Sequence, residues 1–209
     1  MNIIQRFMRF FFNLLYHPFA FTYDLVAWVV SFGRWNDWVF SIVPFIKGTR
    51  ILELGHGPGH LQRILLSRGL FAVALDESKQ MGRLAKHRLG DSANLTRVLA
   101  QSLPYANETF ESIVSTFPSE YIFDPRTLSE VRRVLRSRGR LIVLPVAFPK
   151  NLFLRWLYKV TGESPSDING FIQHRLQRPF VDANFHAEIE TIEVKSSTLL
   201  FVIAEKEEK

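Results

Sequence analysis

The sequence predicts an α/β fold: a largely parallel sheet with helices on both faces, preceded by a helical arm. Three observations carry this. Apolar runs suited to buried parallel strands alternate with stretches of helical spacing. A glycine-rich turn joins the first strand to the helix after it. An acidic residue closes the second strand, about 20 residues beyond that turn.

The turn lies in the stretch from Arg50 to Leu61. Ile51, Leu52 and Leu54 form the apolar run of a first strand, and Gly55, Gly57 and Gly59 follow at alternate positions. Glycines serve such a turn because they accept positive φ and lack a Cβ, so a ligand can press against the backbone. From Leu61 the spacing becomes helical, with Leu61, Ile64 and Leu65 on one side and Gln62 and Arg63 on the other. A helix start behind the turn offers N–H groups and a partial positive charge to an anion. Phe71 to Asp76 reads as the second strand. A carboxylate at its carboxyl end can accept hydrogen bonds from both hydroxyls of a ribose.

Glu53, the G-x-G-x-G run and Asp76 together resemble the first motif of class I S-adenosylmethionine (SAM) methyltransferases. The dinucleotide fingerprint G-x-G-x-x-G fits less well, because its sixth position here is His60. The resemblance implies SAM as cofactor and a Rossmann-like sheet of seven strands in the order 3-2-1-4-5-7-6, the last antiparallel. It places Glu53 near the methionine part and Gly55, Gly57 and Gly59 beneath the ligand; His56 is expected either to border the SAM carboxylate or simply to sit in the turn. Asp76, with Glu77 beside it, falls on the ribose. Ala100-Gln101-Ser102 falls in the loop that cups the adenine, and Thr116 and Phe117 fall where the methyl group sits. Two departures stand out: the acid usual before the adenine loop is Leu99, and the aspartate usual after the following phenylalanine is Glu111. The Asn/Asp-Pro-Pro-aromatic motif of base-amine methyltransferases is replaced by Thr116-Phe117-Pro118-Ser119, which argues against a nucleic-acid base as acceptor.

The remaining elements follow in order. Glu77 to Leu89 is expected as a helix, Leu95 to Leu99 as the third strand and Ile113 to Phe117 as the fourth. Pro125 to Leu135 reads as a helix that opens on proline and closes at Gly139, before a fifth strand from Arg140 to Pro145. Arg132, Arg133, Arg136 and Arg138 read as a solvated helix face. Helices are expected over Asn151 to Gly162 and Phe171 to Phe185. Ile189 to Lys195 and Thr198 to Ala204 read as an antiparallel pair turning at Ser196-Ser197.

Ahead of the first strand, Ile3, Phe7, Phe10 and Leu14 share a helical face, with Ile4, Met8, Phe11 and Leu15 beside them and Arg6 and Arg9 opposite. His17-Pro18 stops this pattern. No small-residue cleavage pattern marks it as a secretory signal. Tyr23 to Phe32 and Trp35 to Ile46 read as two more helices, broken near Gly33. In the resembled family such helices form a lid, and Trp28, Trp35 and Trp38 stand either in the substrate pocket or in ordinary core. The expected division is a helical arm and lid over residues 1–47, a SAM-binding domain over 48–205 and a disordered tail over 206–209.

The chain has 209 residues, an apolar share of 47% and no cysteine, which leaves no disulfide framework and no thiolate metal site. That composition agrees with a cytoplasmic enzyme. A net charge of +6 and a pI near 9.8 favour anionic surfaces. Residues 1–15 are therefore expected either on an anionic membrane or against the chain's own domain. No metal is expected, since His56 lies in the turn and no third ligand stands near it and His60.

A methyl on a sulfonium is already activated, so transfer needs placement, and a base only for a protonated acceptor. Tyr23, Glu120, Tyr121 and His174 are the candidate bases. The expected function is methyl transfer from SAM to a small, lipophilic acceptor. The alternatives are a non-catalytic SAM-binding or membrane-associated partner protein of the same fold, and an NAD-dependent enzyme.

Overall fold

A computed structural model describes residue 28 and residues 31–149, 168–195 and 197–208. Helix α1 is Trp35–Phe40, followed by a single 3-10 turn at Val43–Phe45. Then come β1 Arg50–Leu54, α2 His60–Ser67, β2 Phe71–Asp76, α3 Lys79–Leu89 and β3 Asn94–Arg97. After β4 Phe110–Thr116 and a 3-10 turn at Glu120–Phe123 follow α4 Pro125–Val134 and β5 Leu135–Pro149. The last elements are α5 Ile168–Asp182, β6 Phe185–Val194 and β7 Ser197–Lys206. The arm at residues 1–15, the segment from Asn151 to Gly162 and Tyr23 lie outside the described residues.

The strands form a seven-stranded sheet in the order β3-β2-β1-β4-β5-β7-β6, as the family resemblance implies. The first five run parallel, and β7 inserts antiparallel between β5 and β6. Side chains alternate across the sheet. Leu52, Leu54, Ile113, Leu141, Val143 and Val202 face α4 and α5, where Leu128, Val131 and Phe180 cover them. Ile51, Val114, Ile142, Leu144 and Phe201 face α1 and α2, where Trp38, Val39, Leu61 and Leu65 cover them. Glu53 shares the second face with Ile51 and is the acidic exception in it.

Several boundaries differ from those expected. The helix expected from Trp35 to Ile46 breaks after Phe40, because Pro44 lacks an N–H to continue it. Strand β3 ends at Arg97, whose Nε turns back to the Glu77 carbonyl at 2.9 Å. Strand β5 starts at Leu135, directly after α4, and bulges before rejoining β4 at Arg140. Gly139 therefore closes no helix. It sits where the bulge brings backbones together, and a Cβ there would meet the Arg136 carbonyl at 2.8 Å. Helix α5 ends at Asp182, ahead of β6. Strand β7 continues through Lys206, one residue into the segment expected as tail. Lys206 is 5% exposed and donates to the Leu135 carbonyl at 2.6 Å.

Candidate active site

Residues 55–59 cross from β1 to α2 at the carboxyl ends of the parallel strands. Gly55 N and His56 N both donate to the Leu75 carbonyl, at 2.8 and 3.1 Å, which locks the turn onto β2. All three glycines have positive φ: 71° at Gly55, 52° at Gly57 and 85° at Gly59. Their surroundings differ. A Cβ on Gly59 would press on Leu89 and Ala85 of α3, and one on Gly55 would meet the Tyr121 hydroxyl at 2.6 Å. A Cβ on Gly57 would meet no protein atom within 4 Å. Of the three glycines expected beneath a ligand, Gly57 alone is the open one; the other two are required by the fold itself.

Asp76 ends β2 and braces this turn. Its Oδ2 accepts from Gly57 N at 2.9 Å and its Oδ1 from Ser78 N at 2.8 Å. Ser78 in turn caps α3 through Met81 N. Each carboxylate oxygen retains a second lone pair, which hydroxyl donors can use. Glu77 beside it points to solvent. His56 is buried with Nδ1 2.6 Å from the Gly57 carbonyl, so Nδ1 carries the proton. Burial pushes its pKa down; the Asp76 carboxylate and the Gly57 carbonyl oppose that shift.

Glu53 stands behind the turn and is 1% exposed, with Oε2 unbonded. Burial pushes its carboxyl up to about 8; the Gln62 amide offsets this and the Asp76 charge adds to it. Arg88 of α3 reaches the Pro58 carbonyl at 2.7 Å and His60 Nε2 at 3.1 Å, fastening the outer side of the turn. Nothing in the local sequence pairs His60 with a residue of the next helix, and only the basic last turn of α3 hinted at it.

The loop after β3 is held from below. Ala100 is buried, Ser102 N bonds the Leu99 carbonyl at 3.1 Å, and Gln101 Nε2 reaches Asp124 Oδ2 at 3.2 Å. Glu130 accepts from Leu103 N at 2.7 Å, and Arg133 donates to the Leu103 and Tyr105 carbonyls at 2.9 and 2.7 Å. Arg133 is thus a clamp, not part of a solvated face. Arg136 reaches the Glu108 carbonyl and Arg132 that of Asn184. Leu99 is 53% exposed where the family carries an acid.

At the carboxyl end of β4, Ser115 Oγ and the Tyr121 hydroxyl both donate to the Leu54 carbonyl, at 2.9 and 3.0 Å. The structure therefore brings Tyr121 over Gly55. Glu120 is exposed beside it. His174 is exposed on α5, the helix packed on edge strand β6, four strands from β1. Thr116 ends β4. Phe117 follows with φ 49°, a strained value for a phenylalanine, and stacks on Trp35 with centroids 4.6 Å apart. Trp38 is core at 2% exposure, whereas Trp28 is 62% exposed. A cleft of about 930 Å³ between α4 and α5 contains none of these turn residues; Asn107, Glu108 and Lys206 line it at the opposite end of the strands.

The sheet order and the β1–α2 turn define a class I methyltransferase fold. Residues 52–143 match the family model described as a methyltransferase domain. The chain is 31% identical over 141 residues to a demethylmenaquinone methyltransferase of Thermotoga maritima, covering 65% of this chain and 61% of that one. It spans 55% to 66% of the length of the first curated relatives it matches. A SAM-dependent methyltransferase structure from Methanosarcina mazei superposes with a TM-score of 0.57 at 22% identity, covering 80% of this chain and 98% of that one. The magnesium protoporphyrin IX methyltransferase of Synechocystis, solved with bound S-adenosylhomocysteine, gives 0.55 at 15% identity, with 82% of each chain covered.

Proposed function

We propose that the chain is a SAM-dependent methyltransferase acting on a small lipophilic acceptor. The observation that carries this is the Asp76-braced turn, which leaves open space at Gly57 beside a carboxylate with lone pairs to spare. These residues fit the cofactor. Asp76 would hold the ribose hydroxyls, with Glu77 at its rim. Gly55, His56, Gly57 and Gly59 would carry the ligand's underside. Glu53 would face its cationic amino-acid end, and Ala100, Gln101 and Ser102 would line the adenine. Bound there, SAM supplies an activated methyl group, and the protein's part is alignment of the acceptor.

The acceptor side would be the carboxyl end of β4, around Thr116 and Phe117. Among the base candidates, Tyr121 is supported by its position over Gly55. A quinone-like acceptor is carried over from the demethylmenaquinone methyltransferase of Thermotoga maritima to which the chain is similar. No helix among the described residues is long and apolar enough to cross a membrane. The two apolar rows of residues 1–15 and the opposing Arg6 and Arg9 would suit either an anionic bilayer surface, from which a cytoplasmic enzyme would draw such an acceptor, or packing on the chain's own domain, and nucleic acid has no place in this reading. Titration of the purified chain with SAM, then turnover of labelled SAM on a panel of quinols, tests it. Micromolar binding with methylated product is the expected result. Binding without product on any acceptor would favour a non-catalytic SAM-binding protein.

A further inference from the structure

Glu53 sits on the α1 and α2 face of β1, immediately before the residue that ends the strand. Its Oε2 has no hydrogen-bond partner. Gln62, in the first turn of α2, is fully buried and close enough to act on that carboxyl, yet both its amide atoms also lack a well-formed partner. The ionisable group that acts on Glu53 is Asp76 from the end of β2, whose charge also acts on His56 in the turn. No lysine or arginine among the described residues pairs with Glu53. An ionised carboxylate here has neither water nor a counter-charge, and its nearest charged neighbour is another acid.

We propose that Glu53 keeps its proton while the turn is empty and releases it when a positively charged ligand docks, so that it selects for charge among ligands sharing the same nucleoside. This rests on the cofactor reading above. The unpaired oxygen and the unpaired Gln62 amide are what the pocket lacks in one state and uses in the other. The incoming cation stabilises the carboxylate, the proton leaves to solvent, and the Gln62 N–H can then donate to the newly charged oxygen. A neutral nucleoside brings no such compensation and leaves Glu53 protonated.

The linkage has a definite sign. A group that gives up a proton on binding makes affinity rise with pH until the empty site is itself ionised. Burial sets that point at about 8.

Calorimetry of the full chain with SAM, in two buffers of different ionisation enthalpy near about pH 7, counts the protons released. Release of most of a proton per SAM is expected, with Kd falling by up to about tenfold per pH unit between about pH 6 and 8 and then levelling. 5′-Methylthioadenosine keeps the adenine, ribose and sulfur but carries neither sulfonium nor ammonium; it is expected to bind without release. E53Q is expected to bind SAM more weakly and to keep only the pH dependence of the ligand's own amine, which subtraction then removes. If E53Q does not fold, the wild-type pH profile and the comparison of the two ligands still decide. SAM binding without proton release, or equal release with methylthioadenosine, would overturn the proposal. No SAM binding at all would overturn the cofactor reading instead, which is a separate failure.

Discussion

Asp76 satisfies two buried N–H groups at once, so its removal acts on the turn as well as on any ligand. Asp76→Ala should lower stability by about 1–3 kcal/mol, the cost of orphaning those donors. It should also lower SAM affinity about tenfold or more, since charge-assisted bonds to hydroxyls are worth roughly 1.5–3 kcal/mol. Denaturant unfolding measures the first and calorimetry the second; an unchanged affinity would remove Asp76 from the ribose. Gly57 separates fold from ligand more cleanly. A side chain there meets no protein atom, so Gly57→Ala should cost only the strain of positive φ, about 1 kcal/mol. Gly57→Val should fold and lose SAM binding. A folded valine variant with full affinity would mean that the ligand lies elsewhere.

Helix α4 holds the loop after β3 through Glu130 and Arg133, and Arg133 makes the most bonds to it. It joins Glu130 to the backbone of the loop after β3, so that loop is rigid without secondary structure of its own. Arg133→Ala should destabilise the protein by about 1.5–3 kcal/mol and weaken binding of adenosine-containing ligands. Thermal melts and adenosine titration would show whether the loop and the melt move together; an unaltered adenosine affinity would detach this clamp from the site. The role was hidden because a row of arginines looks the same whether its partners are water or distant carbonyls. Strand β2 was legible as a near-continuous apolar run because helices cover both its faces, and β1 and β4 through the apolar pairs Ile51-Leu52 and Ile113-Val114 at their centres. The start of β5 was not legible. Arg136, Ser137 and Arg138 occupy a bulge, and their polarity reads as loop. Gly55 and Gly59 were legible as glycines but not in their reasons, Tyr121 and α3, which come from more than 25 residues away in the chain.

For the molecule as a whole, Glu53 makes the empty protein pH-sensitive. Its native carboxyl binds a proton up to about 8, whereas an unfolded glutamate lets go near 4.5. Between those values the folded state holds more protons than the unfolded one, so stability falls as pH rises through that window. Melting of the ligand-free chain should therefore shift down from about pH 5 to about pH 8, with E53Q flattening the shift. A wild-type melt that rises over this range would contradict the burial of that acid. At the same scale stands the arm. If residues 1–15 rest on a bilayer, Arg6 and Arg9 contribute about 1 kcal/mol each there. Deleting residues 1–15 should abolish sedimentation with acidic liposomes and leave SAM affinity nearly unchanged. A large loss of stability on deletion would instead place the arm's apolar rows against the domain.

The position of β7 between β5 and β6 also governs how the protein is made. Synthesis delivers β6 before the strand it must pair with, so a nascent chain from which residues up to about 195 have emerged, with β7 still held in the tunnel by a C-terminal extension, carries one strand without a ladder and β5 with an open edge. Ribosomes slowed at that point would display unpaired strand edges and the apolar faces beside them for as long as the pause lasts. Trigger-factor-type holding chaperones should crosslink to such stalled chains most strongly at lengths between the exits of β6 and β7, and release them once Phe201 and Val202 have left the tunnel.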